Sequence, residues 1–162
     1  MTGARVRVER CRDLAAPASA VWAWMCASPA LPLFTVNVFH LAATRREPGP
    51  LVVGSRIDIE HRFFGRRELR AARIARLAGF ADGGGEIGWG EIKAEGADWF
   101  PHGQHVAVRA LGPERSRLTN TLRGSFRLPG AGWWLVPWYR HVLPRILDAE
   151  NAQVARALER RA

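Results

Sequence analysis

Between Arg56 and Leu128 short runs with apolar residues at every second position are separated by turn residues, and after Trp133 apolar residues recur at every third or fourth. That single change of period limits the folds open to the chain. Alternation over short runs broken by turn residues specifies half-buried antiparallel strands, whereas the later spacing specifies one long amphipathic helix. Within the first region Ile57, Ile59, His61 and Phe63 alternate with Arg56, Asp58, Glu60 and Arg62. Gly65-Arg66-Arg67 supplies a turn before a strand from Glu68 to Leu77. Asp82-Gly83-Gly84-Gly85 supplies another before Glu86 to Glu95. Gln104 to Leu111 and Arg117 to Leu128 then flank the turn Gly112-Pro113-Glu114-Arg115.

Ahead of this meander, Arg5 to Leu14 reads as a strand, with Val6 and Val8 on one face and Arg5, Arg7 and Glu9 on the other. Pro17 suits a first helical turn, and Val21, Trp22 and Met25 follow at helical spacing. Ser28-Pro29-Ala30-Leu31-Pro32 ends that helix, and Thr35 to Thr44 reads as a second strand. In the C-terminal helix the expected buried stripe is Leu135, Tyr139, Val142, Ile146 and Ala149, widened by Leu143, Leu147, Val154 and Leu158. Pro144 lacks a backbone donor, so a kink or a restart is expected there. No repeat or low-complexity tract divides the chain, and residues 1–162 read as one domain.

The order of elements, with Ala16-Pro17-x-x-x-Val21-Trp22 after the first strand, Val53-Gly54 before the third and Ser116-Arg117-Leu118-Thr119 in the last, resembles the START-like helix-grip superfamily. That group includes polyketide cyclase and dehydrase proteins and coenzyme Q-binding proteins. The resemblance implies an α+β fold: a curved antiparallel sheet wrapped around a long C-terminal helix, with an apolar cavity between them. It does not imply one chemistry, because this fold hosts carriers and enzymes alike.

The chain has 162 residues, 48% of them apolar, which suffices for a real core. No apolar run is long enough to span a bilayer, and residues 1–14 carry charge throughout in place of an apolar signal core. A cytoplasmic location is therefore expected. The net charge of +9 comes almost wholly from arginine, since Lys93 is the only lysine. Those arginines are scattered, so solvated strand faces explain them better than a nucleic-acid platform. Cys11 and Cys26 cannot form a zinc site alone and read as small apolar fillers. His102-x-x-His105 lacks a third ligand, so no metal is expected. Gly83-Gly84-Gly85-Glu86-Ile87-Gly88 matches a dinucleotide-binding pattern only formally, because Trp89-Gly90-Glu91 continues as a strand.

The candidate site follows from strand parity. If Ile57 and Ile59 face the cavity, so do His61 and Phe63. Leu118, Leu122 and Phe126 share a face with Asn120, which must there find a partner. Ile87 and Trp89 bring Glu91 along, although Ile92 and Ala94 argue for the opposite face. His61 reads either as a general base or ligand anchor, or as an edge histidine held by backbone or water. Asn120 reads as a ligand anchor or a core hydrogen bond, and Glu91 as a solvent-facing or a buried carboxylate. Trp99 and Phe100 either gate a cavity mouth or pack on the terminal helix. Trp133, Trp134, Trp138 and Tyr139 form the densest aromatic cluster, for which packing of the helix start onto the sheet competes with a membrane-interface patch.

The function expected is binding or transport of a small hydrophobic or aromatic molecule, such as a lipid, quinone or polyketide-like compound, with no obligatory cofactor. Phe63, Trp89, Leu122, Val142 and Ile146 would wall the cavity, while His61 and Asn120 orient the polar end. One rival is a cyclase or dehydratase in which His61 or Glu91 moves protons. Another is a basic surface module for RNA, ribosomes or an acidic membrane.

Overall fold

A computed structural model of the chain describes residues 5–27, 40–45, 49–63, 66–91, 100–126 and 131–160. Strand β1 (Arg5–Leu14) buries Val6, Val8 and Leu14 and exposes Arg5, Arg7 and Glu9. Cys11 falls on the outward parity of this strand and is exposed, with Sγ 3.5 Å from Thr119 Oγ1, so it is not the core filler expected. Pro17 stands at the N-cap of helix α1 (Ala18–Cys26) rather than in its first turn. The helix buries Ala18, Val21, Trp24 and Met25, a spacing that puts one face on the sheet. Cys26, half-buried at its end, has its thiol pKa raised by burial.

Six strands then run in series: β2 (His40–Arg45), β3 (Arg56–Phe63), β4 (Arg66–Gly79), β5 (Gly85–Glu91), β6 (His102–Gly112) and β7 (Arg115–Ser125). The expected second strand began at Thr35; positions before His40 lie outside the described residues, and β2 continues to Arg45. Arg66 and Arg67, expected in a turn, already pair with Phe63 and Arg62. Residues 92–95 of the expected fifth strand lie outside the described residues. Between β4 and β5, Phe80 N donates to Gly84 O at 2.9 Å, and Gly83 adopts φ +81°. The glycine run is therefore a hairpin that leads into a strand, with no helix end to receive a pyrophosphate.

All seven strands form one curved antiparallel sheet in the order β1-β7-β6-β5-β4-β3-β2. Every neighbouring pair is a hairpin except β1 with β7, which joins the two ends of the chain from Arg5↔Ser125 to Leu14↔Ser116. Helix α2 (Ala131–Glu159) runs as one element through Pro137 and Pro144, so the restart considered at Pro144 does not occur. It lies along β1 and the adjoining β7.

The buried stripe of α2 is Tyr139, Leu143, Ile146, Leu147, Glu150, Val154 and Ala157. Ala149, expected on that stripe, is exposed, and Leu135, Val142 and Leu158 are only half-buried. The stripe is thus rotated toward Leu143 and Leu147, which face β1 and β7. The first half of α2 packs with Val6, Val8, Phe100, Leu122 and Phe126. Its last turns join a second cluster with α1 and the sheet residues Ile57, Ile74, Ile87, Val106 and Leu118. At the outer rim Arg10 grips Asp148: Nε donates to Oδ1 at 3.0 Å and to Oδ2 at 3.1 Å, and Nη2 donates to Oδ2 at 2.8 Å. Both groups are about half exposed, so solvent screens the pair and it adds little to stability.

Candidate functional site

The strand register lays the concave face out in rows. Val8, Leu122, Gln104, Trp89 and Ile74 stand opposite one another across β1, β7, β6, β5 and β4. The adjoining row contains Asn120, Val106 and Ile87. The side chains of all eight are buried, and six are apolar. Gln104 and Asn120 are the exceptions, 4% and 1% exposed. Buried amides in an apolar setting must be hydrogen-bonded or cost stability.

Helix α2 supplies their partner. Glu150, only 1% exposed, stands where the buried stripe crosses the sheet between the two apolar clusters. Gln104 Nε2 donates to Asn120 Oδ1 at 2.9 Å and to Glu150 Oε2 at 2.6 Å. Asn120 Nδ2 donates to the same carboxylate oxygen at 2.9 Å. Two amide donors thus converge on one carboxyl oxygen of Glu150, and the low local dielectric strengthens such bonds. The arrangement fixes the helix over β6 and β7 and holds a carboxylate beside the row that carries Trp89.

A second polar element lies toward the start of α2. Arg70 shares the strand parity of Ala72 and Ile74 and is half-buried. Burial pushes the Tyr139 hydroxyl up to about 12, against an opposing pull from the positive charge of Arg70. The Tyr139 ring is 4.8 Å from Phe100 and 5.1 Å from Phe126, centroid to centroid. Phe100 therefore packs on the terminal helix, one of the two readings held for it. Trp134 and Trp138, on that helix, are not buried against the sheet: both are exposed, with the Trp138 ring meeting Tyr139 edge-on at 5.0 Å, and of the aromatic cluster only Tyr139 has a described side chain in the core. The side chain of Trp133 lies outside the described residues.

The residues singled out from sequence divide into three groups. Trp89, Asn120, Leu122 and Ile146 are buried, with Asn120 two positions from Leu122 on β7 and Trp89 separated from Leu122 by Gln104. Val142 is half-buried against the cluster that holds Leu122 and Ile146. His61, Phe63 and Glu91 have defined backbone registers, opposite Glu68, Arg66 and Ala72, but their side chains lie outside the described residues, as does all of Trp99. In sheet order β3 stands four strands from β7, and the row of Asn120 reaches β4 at Leu77 whereas His61 pairs with Glu68, so the sheet does not bring His61 and Asn120 together.

Gln104, Glu150 and Arg70 were not foreseen, though each carried a signal. Gln104 has the parity of Val106 and Val108, and Arg70 that of Ala72 and Ile74. Glu150 falls between Leu147 and Val154 at helical spacing.

On the opposite face of the sheet Glu86 is buried between Arg76 and His105. Burial raises its pKa, but hydrogen bonds from His105 and Arg76 outweigh it and hold the carboxyl below its usual range. His102 Nδ1 lies 3.1 Å from the carbonyl oxygen of Phe100 and His105 Nε2 is 2.9 Å from Glu86 Oε2, so the two histidines have separate partners. A groove of about 790 Å³ opens elsewhere, between the β1–α1 junction and the last turns of α2, floored by Ala16, Ala20, Trp24 and Leu158.

No protein-family model matches the chain, and no curated protein does. Solved structures do. A START superfamily protein from Mycobacterium smegmatis aligns with TM-score 0.65 at 15% identity, over 96% of this chain and 99% of that one. This protein has the START-like helix-grip fold. The Zhui aromatase/cyclase of a Streptomyces species aligns with TM-score 0.71 at 18% identity, over 97% and 95%. Norcoclaurine synthase from Thalictrum flavum aligns with TM-score 0.68 at 12% identity, over 99% and 90%. Those identities carry the fold alone. The helix grip places the Gln104–Asn120–Glu150 cluster where its sheet meets its helix.

Proposed function

We propose that this helix-grip protein binds a small hydrophobic or aromatic molecule between the concave face of its sheet and α2. The observation that carries the reading is the row Leu122–Gln104–Trp89–Ile74 with the buried carboxylate of Glu150 above it. An apolar wall with few convergent polar groups is the usual composition of a small-molecule site. Trp89, Leu122, Ile146 and Val142 supply the wall, with Phe63 where β3 ends. Asn120 and Gln104, oriented by Glu150, meet one polar end of the ligand, and Arg70 with Tyr139 meets a carbonyl or anionic group nearer the start of α2. His61, Glu91 and Trp99 remain candidates from the sequence for the rest of the site.

Native mass spectrometry of freshly purified protein, repeated after organic extraction, tests this directly. A bound mass that disappears on extraction supports the reading and gives the ligand's class. Trp89→Ala should weaken rebinding of that ligand by roughly tenfold or more, through lost apolar contact. Unchanged rebinding by this variant would remove the concave face as the site.

A second reading is favoured by the carboxylate itself. A buried Glu150 hydrogen-bonded to two amides can polarise or reposition them during a proton transfer, as an enzyme of the cyclase type requires. The structural likeness to the Zhui aromatase/cyclase lends it support. It predicts turnover of a polyketide-like substrate that Asn120→Ala abolishes while binding persists.

A further inference from the structure

The outward side of α2 carries two indoles one turn apart. Trp134 is 78% exposed and Trp138 is 47% exposed, and the large hydrophobics otherwise exposed among the described residues are Val52, Val53, Leu69 and Leu111, none aromatic. Tryptophan side chains of this size ordinarily go into a core or an interface. Neither can turn inward here, because the opposite face of the same turns holds Tyr139 and Leu143 in the core. Exposed Pro137 lies beside the two indoles, and the same helical line continues through exposed His141 and Arg145, with Arg140 exposed alongside. Neither Arg140 nor Arg145 is ion-paired among the described residues, unlike Arg10 on the neighbouring strand. The chain as a whole carries +9.

We infer that this ridge is a peripheral docking surface for an anionic lipid bilayer. Trp134, Pro137 and Trp138 enter the boundary between headgroups and acyl chains, where an indole's apolar body and polar N–H are both satisfied. Arg145 and Arg140 stand against the lipid phosphates, and the net positive charge steers the encounter. Among the described residues no helix is long and apolar enough to cross a membrane, so the contact is interfacial. A nucleic-acid strand fits less well: it is usually tracked by a basic groove with interleaved aromatics, and this is a convex ridge with two arginines. The inference goes beyond the cavity reading and does not depend on it.

The test is co-sedimentation with vesicles of equal parts phosphatidylglycerol and phosphatidylcholine, compared with pure phosphatidylcholine. The expected result is partitioning on the order of tenfold stronger to the anionic vesicles, falling as salt is raised. The variant Trp134→Ala/Trp138→Ala should lose on the order of tenfold or more, while its circular dichroism stays native. If that variant misfolds, Trp134→Ala alone, at the more exposed position, should still lose severalfold. Absence of sedimentation with anionic vesicles overturns the inference, as does equal partitioning of a folded double variant. Retention of single-stranded RNA with no vesicle binding would assign the ridge to nucleic acid and also overturn it.

Discussion

Two residues of β5 show how narrowly the local packing is specified. A Cβ added at Gly85 would lie 2.4 Å from the Trp22 ring, well inside van der Waals contact. Gly85→Ala should therefore push Trp22 off the hairpin and cost about 1–3 kcal/mol, read as a lower urea midpoint with unchanged m-value. Next to it, Glu86 has its carboxyl held below its ordinary 4.5 by His105 and Arg76. A depressed folded-state pKa means that this group's contribution is complete above about pH 5 and is lost as pH falls through the folded value. The stability gap between the wild type and Glu86→Gln should be constant from about pH 5 upward and shrink below about pH 4.5. Urea melts at several pH values would show it; a gap that widens in acid would contradict the assignment. Both features were half visible in the sequence. The glycines announced a turn, but which ring covers them depends on a helix some sixty positions earlier. Glu86 read as an ordinary strand carboxylate, and its two partners come from the neighbouring strands β4 and β6.

At the level of the element, α2 carries the largest departure from what its sequence implied. Periodicity found the helix, yet the stripe placed Ala149 inward and passed over Glu150. A carboxylate is rarely fully buried, so the polar position was the natural one to leave outside. The structure buries it because Gln104 and Asn120, 46 and 30 positions away in the chain, present amides to it. Those separations are beyond any pattern a local window can read. Glu150→Ala should leave both amides short of an acceptor and open a small void. The expected cost is about 3 kcal/mol or more in equilibrium unfolding. Glu150→Gln keeps an oxygen for the two donors and should cost less than half as much. Equal losses for the two variants would mean that bulk, not hydrogen bonding, sets the role of this position. Pro137 and Pro144 sit within the same helix without ending it. Packing of Tyr139, Leu143, Ile146 and Leu147 on the sheet offsets the backbone bonds that proline removes.

For the molecule as a whole, the helix rests on the β1–β7 side of the sheet while the concave rows continue through Trp89 and Ile74 to Ile57 and Ile59. A ligand held between them would bind the folded state alone. At about a hundred times its Kd it should raise stability by about 2.7 kcal/mol, or roughly 5–10 °C in Tm. A thermal-shift titration with the extracted ligand checks this, and Trp89→Ala should blunt the shift. A shift that survives in Trp89→Ala at full size would place the ligand elsewhere.

The order and type of the elements were set by the sequence alone. Alternation, helical period and turn residues act through neighbours in the chain, so the strand series from Arg56 onward and the C-terminal helix could be read directly. So could Val6 and Val8 on the inner face of β1 and the hairpin at the glycine run. Tertiary structure alone decided that β1 closes on β7, which face of α2 turns inward, that Trp134 and Trp138 remain in solvent, and that Gln104, Asn120 and Glu150 meet. Burial and hydrogen bonding at those places depend on residues remote in sequence, and only a folded chain brings remote residues within a few ångströms of one another.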